Sequence, residues 1–183
     1  MTHSPILPFP RSYWVLPGKL LAGCYPGDTS TADAEEKLRG LLRCGVSHVV
    51  NLMESHEVDH QRKPFTAYDS LLRELAMPLG RNVVCTRHSI RDLSVPEVVA
   101  MGKLLDSIDA ALANGNVVYV HCWGGRGRTG TVIGCYLARH GISTEGQTLA
   151  MLARLTDHQR SSFRRIPETD EQRAFVNAWR FGQ

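Results

Sequence analysis

A cysteine and an arginine six residues apart, with glycines between them, are the side chains of this sequence best suited to chemistry. Cys122 and Arg128 enclose a segment that contains Gly124, Gly125 and Gly127. Glycines let successive backbone N–H groups turn toward one centre, which makes a cradle for an anion. The planar fork of an arginine can hold two oxygens of a phosphate. A thiolate held beside such a cradle is a nucleophile for phosphoryl transfer.

The residues on either side of this segment predict a strand before it and a helix after it. Residues 117–120 are a short apolar run of the kind that forms a buried strand, and His121 ends it. Residues 131–140 repeat apolar side chains at helical spacing, and Gly141 follows as a stop signal. The start of a helix adds free N–H groups and a positive dipole end to the cradle. Thr129 can donate its hydroxyl to the sulfur and so ease the departure of the sulfur from an intermediate.

The string from His121 to Thr129 resembles the H-C-x5-R-S/T signature of the cysteine-dependent protein tyrosine and dual-specificity phosphatases. The resemblance extends over roughly residues 13–180, with the loop as its sharpest part. The alternative is a buried cysteine in a glycine-rich turn between strand and helix. A P-loop NTPase is excluded, because no Gly-Lys-Ser/Thr sequence is present. The resemblance implies that the catalytic residues include Cys122, Arg128, Thr129 and His121, the last as a hydrogen-bonding support, and that the phosphate-binding residues are Trp123, Gly124, Gly125, Arg126, Gly127 and Arg128.

A proton donor for the leaving group is expected on a separate segment. Asp92 is the candidate, because it follows a predicted strand at 82–90, and its position resembles the general-acid loop of dual-specificity phosphatases. The same carboxylate would later deprotonate the water that hydrolyses the phosphocysteine. The alternative is that Asp92 only helps to cap the next helix. Ser94 and Glu97 have capping-box spacing and predict that this helix begins there and ends at Ala113.

The sequence near the C-terminus holds a possible water-positioning residue. In some relatives a glutamine there orients the attacking water, and residues 167–172 resemble that segment. Glu168 stands where the glutamine is expected, so Gln172 is the remaining candidate. Equally, Gln172 has the spacing to complete a capping box with Thr169.

Composition and patterning predict one α/β domain with a central twisted, mostly parallel sheet flanked by helices, and the loop at a strand's C-terminal end. The chain has 183 residues, of which 43% are hydrophobic, and its predicted strands alternate with helical patterns. We expect an irregular arm at 1–12 and a dual-specificity-phosphatase-like catalytic domain at 13–183. The polar segment 53–63, with two histidines and three acids, is interpreted as a solvated loop rather than a metal site.

The charge and the cysteines limit the partners and the compartment. A net charge of +3 gives no reason to expect nucleic acid. Five cysteines without paired spacing favour a reducing compartment over a disulfide framework or a zinc site, so no metal or cofactor is expected. The sequence has no secretion signal and no apolar run of the roughly 20 residues that a membrane span needs. A cytoplasmic protein, monomeric by default, is therefore predicted.

Three functional hypotheses follow. The first is a phosphatase for phosphotyrosine, and also phosphoserine or phosphothreonine, on proteins, acting through a phosphocysteine. A short chain without a phosphotyrosine-recognition loop favours the shallower cleft of the dual-specificity kind. The second is a phosphatase for a phosphoinositide, an inositol phosphate or an RNA 5′-phosphate, because phosphoinositide-directed relatives carry lysine at the position of Arg126. The third, an inactive phosphoprotein-binding module, is disfavoured because Cys122, Arg128 and Asp92 are all present.

Overall fold

The structure is a computed structural model that describes residues 6–157 and 165–183. Residues 1–5 of the predicted N-terminal arm therefore lie outside the described part. The strands are β1 Ser12–Leu16, β2 Leu20–Gly23, β3 Val46–Asn51, β4 Val84–Arg87 and β5 Val117–His121. The helices are α1 Thr31–Arg43, α2 Asp69–Ala76, α3 Val98–Ala113, α4 Gly127–Arg139, α5 Thr148–Thr156 and α6 Asp170–Ala178, with a short 3-10 helix at Met77–Leu79.

The five strands form one sheet in the order β1-β2-β5-β3-β4. Among these five described strands, β1 and β2 pair antiparallel, and the pairs β2–β5, β5–β3 and β3–β4 are parallel. The α/β fold with a mostly parallel sheet is thus confirmed. In the register of the sheet, Gly23 pairs with His121, His121 with Asn51, and Asn51 with Arg87. These strands therefore end in one row, and the loops after them open at the same edge of the sheet.

Helices cover both faces of the sheet, and each face has its own apolar core. One core packs α3, α4, α5 and α6 against the sheet, with fully buried side chains such as Leu105, Ile133 and Leu152. The other core packs α1 and α2 against the opposite face, around Leu38 and Leu72. Burial of these apolar side chains fixes the strand order that brings the loops together. Within the described residues, no helix is long and apolar enough to cross a membrane.

The predicted starts of α3 and α4 are wrong, and the predicted start of α6 is confirmed. Helix α3 begins at Val98 rather than at Ser94, because the carbonyl of Ser94 accepts a hydrogen bond from the Gln172 side chain and the chain before Val98 remains a loop. Helix α4 begins at Gly127, four residues before the predicted start, so that its first turn lies inside the loop. The capping box of Thr169 and Gln172 at the start of α6 is present as predicted.

Candidate active site

The loop after β5 is a tight turn that leads directly into α4. Cys122 stands at its beginning, and only 3% of the residue is exposed. Gly125 has a positive φ of 72°, and a Cβ at this position would lie 2.5 Å from the carbonyl carbon of Gly23. Both facts require glycine here, since a side chain would be strained and would collide with the end of β2. The sequence thus forms the predicted strand, loop and helix in the order that an anion cradle needs.

Arg128, in the first turn of α4, is buried and hydrogen-bonded to two residues, Glu57 and Ile90. Its Nη1 and Nη2 donate to the two carboxylate oxygens of Glu57, with Nη2 at 3.0 Å, and Nη1 also donates to the carbonyl of Ile90 at 3.0 Å. Burial by itself would lower the pKa of Arg128, but the bond with Glu57 and the charges of Cys122 and Asp92 raise that pKa above its ordinary value. The guanidinium is therefore a fixed cation at the loop.

Glu57 is a residue that the sequence analysis overlooked. It lies in the polar segment 53–63, for which a solvated loop was the interpretation, yet only 11% of its side chain is exposed. The backbone N–H of Glu54 also donates to the Glu57 carboxylate at 2.7 Å. A signal existed in principle, because this segment follows β3, and the loops after parallel strands share one edge. The order of the strands, however, cannot be read from the sequence. Among the described residues, no group of three or more histidines, cysteines or acids is arranged to hold a metal ion.

Asp92 forms an ion pair with Arg128. Its Oδ1 lies 3.0 Å from Nη2 of Arg128, and half of its side chain is exposed. The next residue, Leu93, has a φ of 60°, a left-handed conformation that is unfavourable for a leucine. The structure thus brings Asp92, predicted on a separate segment, to the arginine that follows Cys122 in the loop. Its role as general acid stays a prediction.

Two buried polar atoms of the loop have no hydrogen-bond partner within residues 6–157 and 165–183. They are Nε of Arg128 and Oγ1 of Thr129. Buried donors are nearly always paired, and an unpaired one costs free energy, so such atoms need an explanation. Both atoms are thus donors without an acceptor in the described part of the chain. The Thr129 hydroxyl makes no bond to the sulfur of Cys122 in this structure, and its predicted role in sulfur departure stays a prediction.

His121 is fully buried beneath the loop. Its Nε2 lies 2.6 Å from the hydroxyl of Tyr68, and its Nδ1 lies 3.1 Å from the carbonyl of Cys122. Burial lowers the pKa of His121 to about 3; the bond to the Cys122 carbonyl opposes this shift, and the charges of Arg87 and Arg128 add to it. The imidazole is therefore neutral, and it ties the loop backbone to Tyr68, the residue just before α2.

Gln172 is fully buried between the loop and the Asp92 segment. Its Oε1 accepts the backbone N–H groups of Glu168 and Thr169, both at 3.2 Å, and its Nε2 donates to the Ser94 carbonyl at 3.1 Å. Both amide atoms lie 3.1 Å from the position that a Cβ on Gly127 would take. The residue thus contacts both the loop and the segment of the candidate acid, and its water-positioning role stays a prediction.

Comparison with known families decides how this arrangement is classified. Residues 10–175 match the sequence model described as PTP-SAK, Swiss Army Knife protein, DSP-PTPase phosphatase domain. The chain belongs to this phosphatase family. The match includes the loop, the Asp92 segment and α6 up to Phe175. The resemblance to the dual-specificity and tyrosine phosphatases that the loop suggested is thus confirmed for the greater part of the chain.

Two relatives of this chain have lipid substrates in their names, and one of these names also includes protein-tyrosine-phosphatase. A phosphatidylinositol 3,4,5-trisphosphate 3-phosphatase and protein-tyrosine-phosphatase PTEN1 of Arabidopsis thaliana is 28% identical over 165 residues, which are 88% of this chain and 35% of that protein. The phosphatidylglycerophosphate phosphatase PTPMT2 of the same plant is 30% identical over 137 residues, 74% of this chain and 51% of that protein. The chain thus spans about a third and about half of these two proteins.

Solved phosphatase structures have a fold similar to that of this chain. The crystal structure of Tk-PTP in the active form superposes with a TM-score of 0.67 at 23% identity, and the match covers 92% of this chain and 95% of that chain. At this level of identity the likeness concerns the fold alone. The single α/β domain with a five-stranded, mostly parallel sheet is therefore a phosphatase fold.

The remaining predicted residues of this phosphatase domain line the rim of the loop. Arg126 forms an ion pair with Glu168, with Nη2 3.1 Å from Oε1. Trp123 is partly buried and packs against His60 and Phe65, at ring-centroid distances of 4.4 and 5.2 Å. Every residue named for the site from the sequence is thus within or beside the loop, and the phosphate-binding roles of Trp123 to Gly127 stay predictions.

Proposed function

We propose that this chain hydrolyses phosphomonoesters through a phosphocysteine at Cys122 and that its substrates are phosphotyrosine residues of proteins. The contact of Asp92 with Arg128, at 3.0 Å, carries the proposal. It joins an acid from the loop after β4 to the phosphate-binding arginine of the loop after β5. A nucleophile, a cation and a proton donor around one cradle are the groups that phosphoester cleavage by a thiol requires.

In the first step, the Cys122 thiolate attacks the phosphorus and the bond from phosphorus to the ester oxygen breaks. Asp92 gives its proton to the departing oxygen. Arg128 and the backbone N–H groups of the loop hold the other phosphate oxygens, where charge is spread in the transition state. The unpaired Nε of Arg128 supports this role, because its other nitrogens are already bound to Glu57 and Asp92.

In the second step, the Asp92 carboxylate takes a proton from a water molecule, whose oxygen attacks the phosphorus of phosphocysteine. The bond from sulfur to phosphorus breaks, inorganic phosphate leaves, and Cys122 returns to the thiolate. A role of Gln172 in this step is supported by its side chain, which contacts both the loop and the Asp92 segment.

The aromatic side chains beside the loop support phosphotyrosine as the substrate. Trp123 packs edge-on against Phe65, and Phe65 packs against Tyr25 at a centroid distance of 5.0 Å. Aromatic walls favour the flat ring of a phosphotyrosine over the short stem of a phosphoserine. Phosphoserine and phosphothreonine are therefore proposed as weaker substrates.

A second candidate is a phosphorylated lipid headgroup. It is favoured by the cation Arg126 at the rim and by the lipid substrates in the names of the two plant relatives. The ion pair of Arg126 with Glu168 neutralises part of that charge. We therefore propose protein phosphotyrosine as the substrate ahead of a lipid headgroup.

The test is phosphate release in EDTA from four substrates. They are a phosphotyrosine peptide, a phosphoserine peptide, a phosphoinositide and phosphatidylglycerophosphate, each with wild type and with Cys122→Ser. We expect turnover that requires Cys122 and is fastest on phosphotyrosine. A faster reaction on either lipid would replace the first candidate with the second. Turnover that survives Cys122→Ser would contradict the thiol mechanism, and binding without any turnover would indicate a phosphoprotein-binding module.

A further inference from the structure

Arg11, just before β1, is a cation that binds the loop from Cys122 to Arg128, here called the phosphate loop, although Gly124 lies 113 residues further along the chain. Its Nη2 donates to the carbonyl of Gly124 at 2.9 Å. Its backbone is fixed as well, because its carbonyl accepts the N–H of Cys24 at 3.1 Å. A Cβ on Gly23 would lie 2.6 Å from that carbonyl oxygen, so the close approach depends on glycine. Arg11 is thus held at both ends beside the loop.

The charge of Arg11 is not neutralised by the part of the chain that the structure describes. No described carboxylate lies within ion-pair distance of it, whereas Arg126 pairs with Glu168 at 3.1 Å and Lys37 with Asp28 at 2.7 Å. A guanidinium has five N–H donors, and the bond to the Gly124 carbonyl uses one of them. The exposed side chain of Arg11 therefore keeps donors and charge for a ligand.

A cleft of about 230 Å³ opens beside Arg11. Its walls include the aromatic residues Tyr25, Phe65 and Trp123, and Trp123 also belongs to the phosphate loop. Trp123 is therefore shared between this cleft and the loop of the candidate active site. Asp59 lines it too, with Oδ1 accepting the backbone N–H groups of Gln61 and Lys63 at 2.8 and 2.9 Å.

We propose that Arg11 binds the carboxylate of an acidic residue next to the phosphotyrosine of the substrate. This inference rests on the proposed function and names the class of peptide that the site selects. An acidic side chain has a short apolar stem for the aromatic walls and one negative charge for the guanidinium fork. Asp59 and the Asp28–Lys37 ion pair also line the cleft, so a second phosphate with about two negative charges would be repelled more strongly by the Asp59 carboxylate than a singly charged carboxylate. The cleft thus fits a carboxylate better than a second phosphate.

The test compares phosphotyrosine peptides that differ in one neighbouring residue. One pair carries glutamate or glutamine directly before the phosphotyrosine, and another pair carries them directly after it. For wild type, we expect kcat/KM to be about fivefold higher for the glutamate member of one pair, the size expected of a partly exposed ion pair. Arg11→Gln should abolish this ratio, and Arg11→Lys, which keeps the charge without the fork, should retain part of it.

The ratio, rather than the absolute rate, is the readout, because it cancels any general effect of the substitution on the loop. Arg43→Gln is the matched control: Arg43 is an exposed arginine of α1, paired with Glu36, and its loss should leave the ratio at the wild-type value. An unchanged ratio in Arg11→Gln, or no preference in wild type, would overturn the proposal. It would also be overturned if Arg11→Gln instead reduced turnover of an inositol bisphosphate relative to a monophosphate.

A failure of the proposed function would look different. Turnover of p-nitrophenyl phosphate, which has no second acidic group, reports the chemistry alone in wild type and in Cys122→Ser. Absence of any turnover that depends on Cys122 would overturn the proposed function and this inference with it. Normal turnover of that compound, combined with no glutamate preference, would overturn only the role of Arg11.

Discussion

Glu57 and Arg128, 71 residues apart in the sequence, share two hydrogen bonds beneath the phosphate loop. Arg128 is 1% exposed at its side chain and Glu57 11%, so the pair is shielded from water. The carboxylate occupies Nη1 and Nη2 and leaves Nε unpaired within the described residues. Glu57 is therefore a positioning residue: it fixes the orientation in which the guanidinium can meet a phosphate.

Substituting Glu57→Gln should lower activity by disordering Arg128. The amide keeps one hydrogen bond but loses the charge, and a displaced guanidinium stabilises the transition state less well. We expect kcat/KM to fall about tenfold and the free energy of unfolding to fall by about 1–3 kcal/mol, as for a buried hydrogen bond to a charged group. Steady-state kinetics and urea unfolding measure the two effects.

The control for this substitution lies on the same segment. Glu54→Gln removes the same charge, but in Glu54 it is the backbone N–H, not the carboxylate, that contacts Glu57. It should therefore behave like wild type. Equal losses in the two variants would mean that the charge of the segment matters and that the contact with Arg128 does not.

Asp92→Asn should lower the turnover of a substrate more strongly when the leaving group of that substrate needs protonation. For a phosphotyrosine peptide we expect kcat to fall by about 10²–10³, the usual contribution of a positioned general acid. For p-nitrophenyl phosphate, whose leaving group is stable without a proton, the fall should be much smaller. The measurement is kcat for both substrates in wild type and Asp92→Asn. The same loss on both would show that Asp92 only orients Arg128.

The two roles open to Gln172 can be separated by pre-steady-state kinetics. Gln172→Ala and Thr169→Ala both remove the capping box of α6, a loss of about 1 kcal/mol of stability, and Gln172→Ala is destabilised further because it also loses the bond to the Ser94 carbonyl. Only Gln172→Ala also removes the amide beside the loop. If that amide positions the water, hydrolysis of phosphocysteine slows, and a burst of p-nitrophenol precedes the steady state. A burst in neither variant, or an equal burst in both, would leave Gln172 with the capping role alone.

The buried histidine predicts how stability depends on pH. The pKa of His121 in the folded chain is about 3, below the ordinary value of about 6.5. Between these values the unfolded chain binds a proton at this position and the folded chain does not. The free energy of unfolding should therefore fall as the pH drops below about 6.5, with a contribution of up to about 1.4 kcal/mol per pH unit from this residue.

Urea unfolding from pH 7.5 to pH 4 checks this prediction. In His121→Gln the decrease toward low pH should be shallower than in wild type, because the contribution of the histidine is gone. His56→Gln serves as the control, since His56 is exposed and its loss should leave the wild-type slope. If His121→Gln kept the full slope, the acid sensitivity would arise from other groups.

The sequence alone was enough for the features that depend on neighbouring residues. The apolar run before His121, the glycines and the helical spacing after Thr129 predict the strand, loop and helix that carry Cys122 and Arg128. The capping box at Thr169 is equally local, and it is present. Such features follow from backbone preferences over a few residues, which is why spacing in the sequence reveals them.

The tertiary structure decided which distant residues meet at the loop. Glu57 and Arg11 come from segments whose local pattern indicates only a solvated loop and an irregular arm, and the sheet order places them against Arg128 and Gly124. A long-range contact also explains why α3 begins later than predicted: Gln172 binds the carbonyl of Ser94, a residue 78 positions away in the sequence. Strand order depends on how two apolar cores are buried together, and that is a property of the whole chain rather than of any segment.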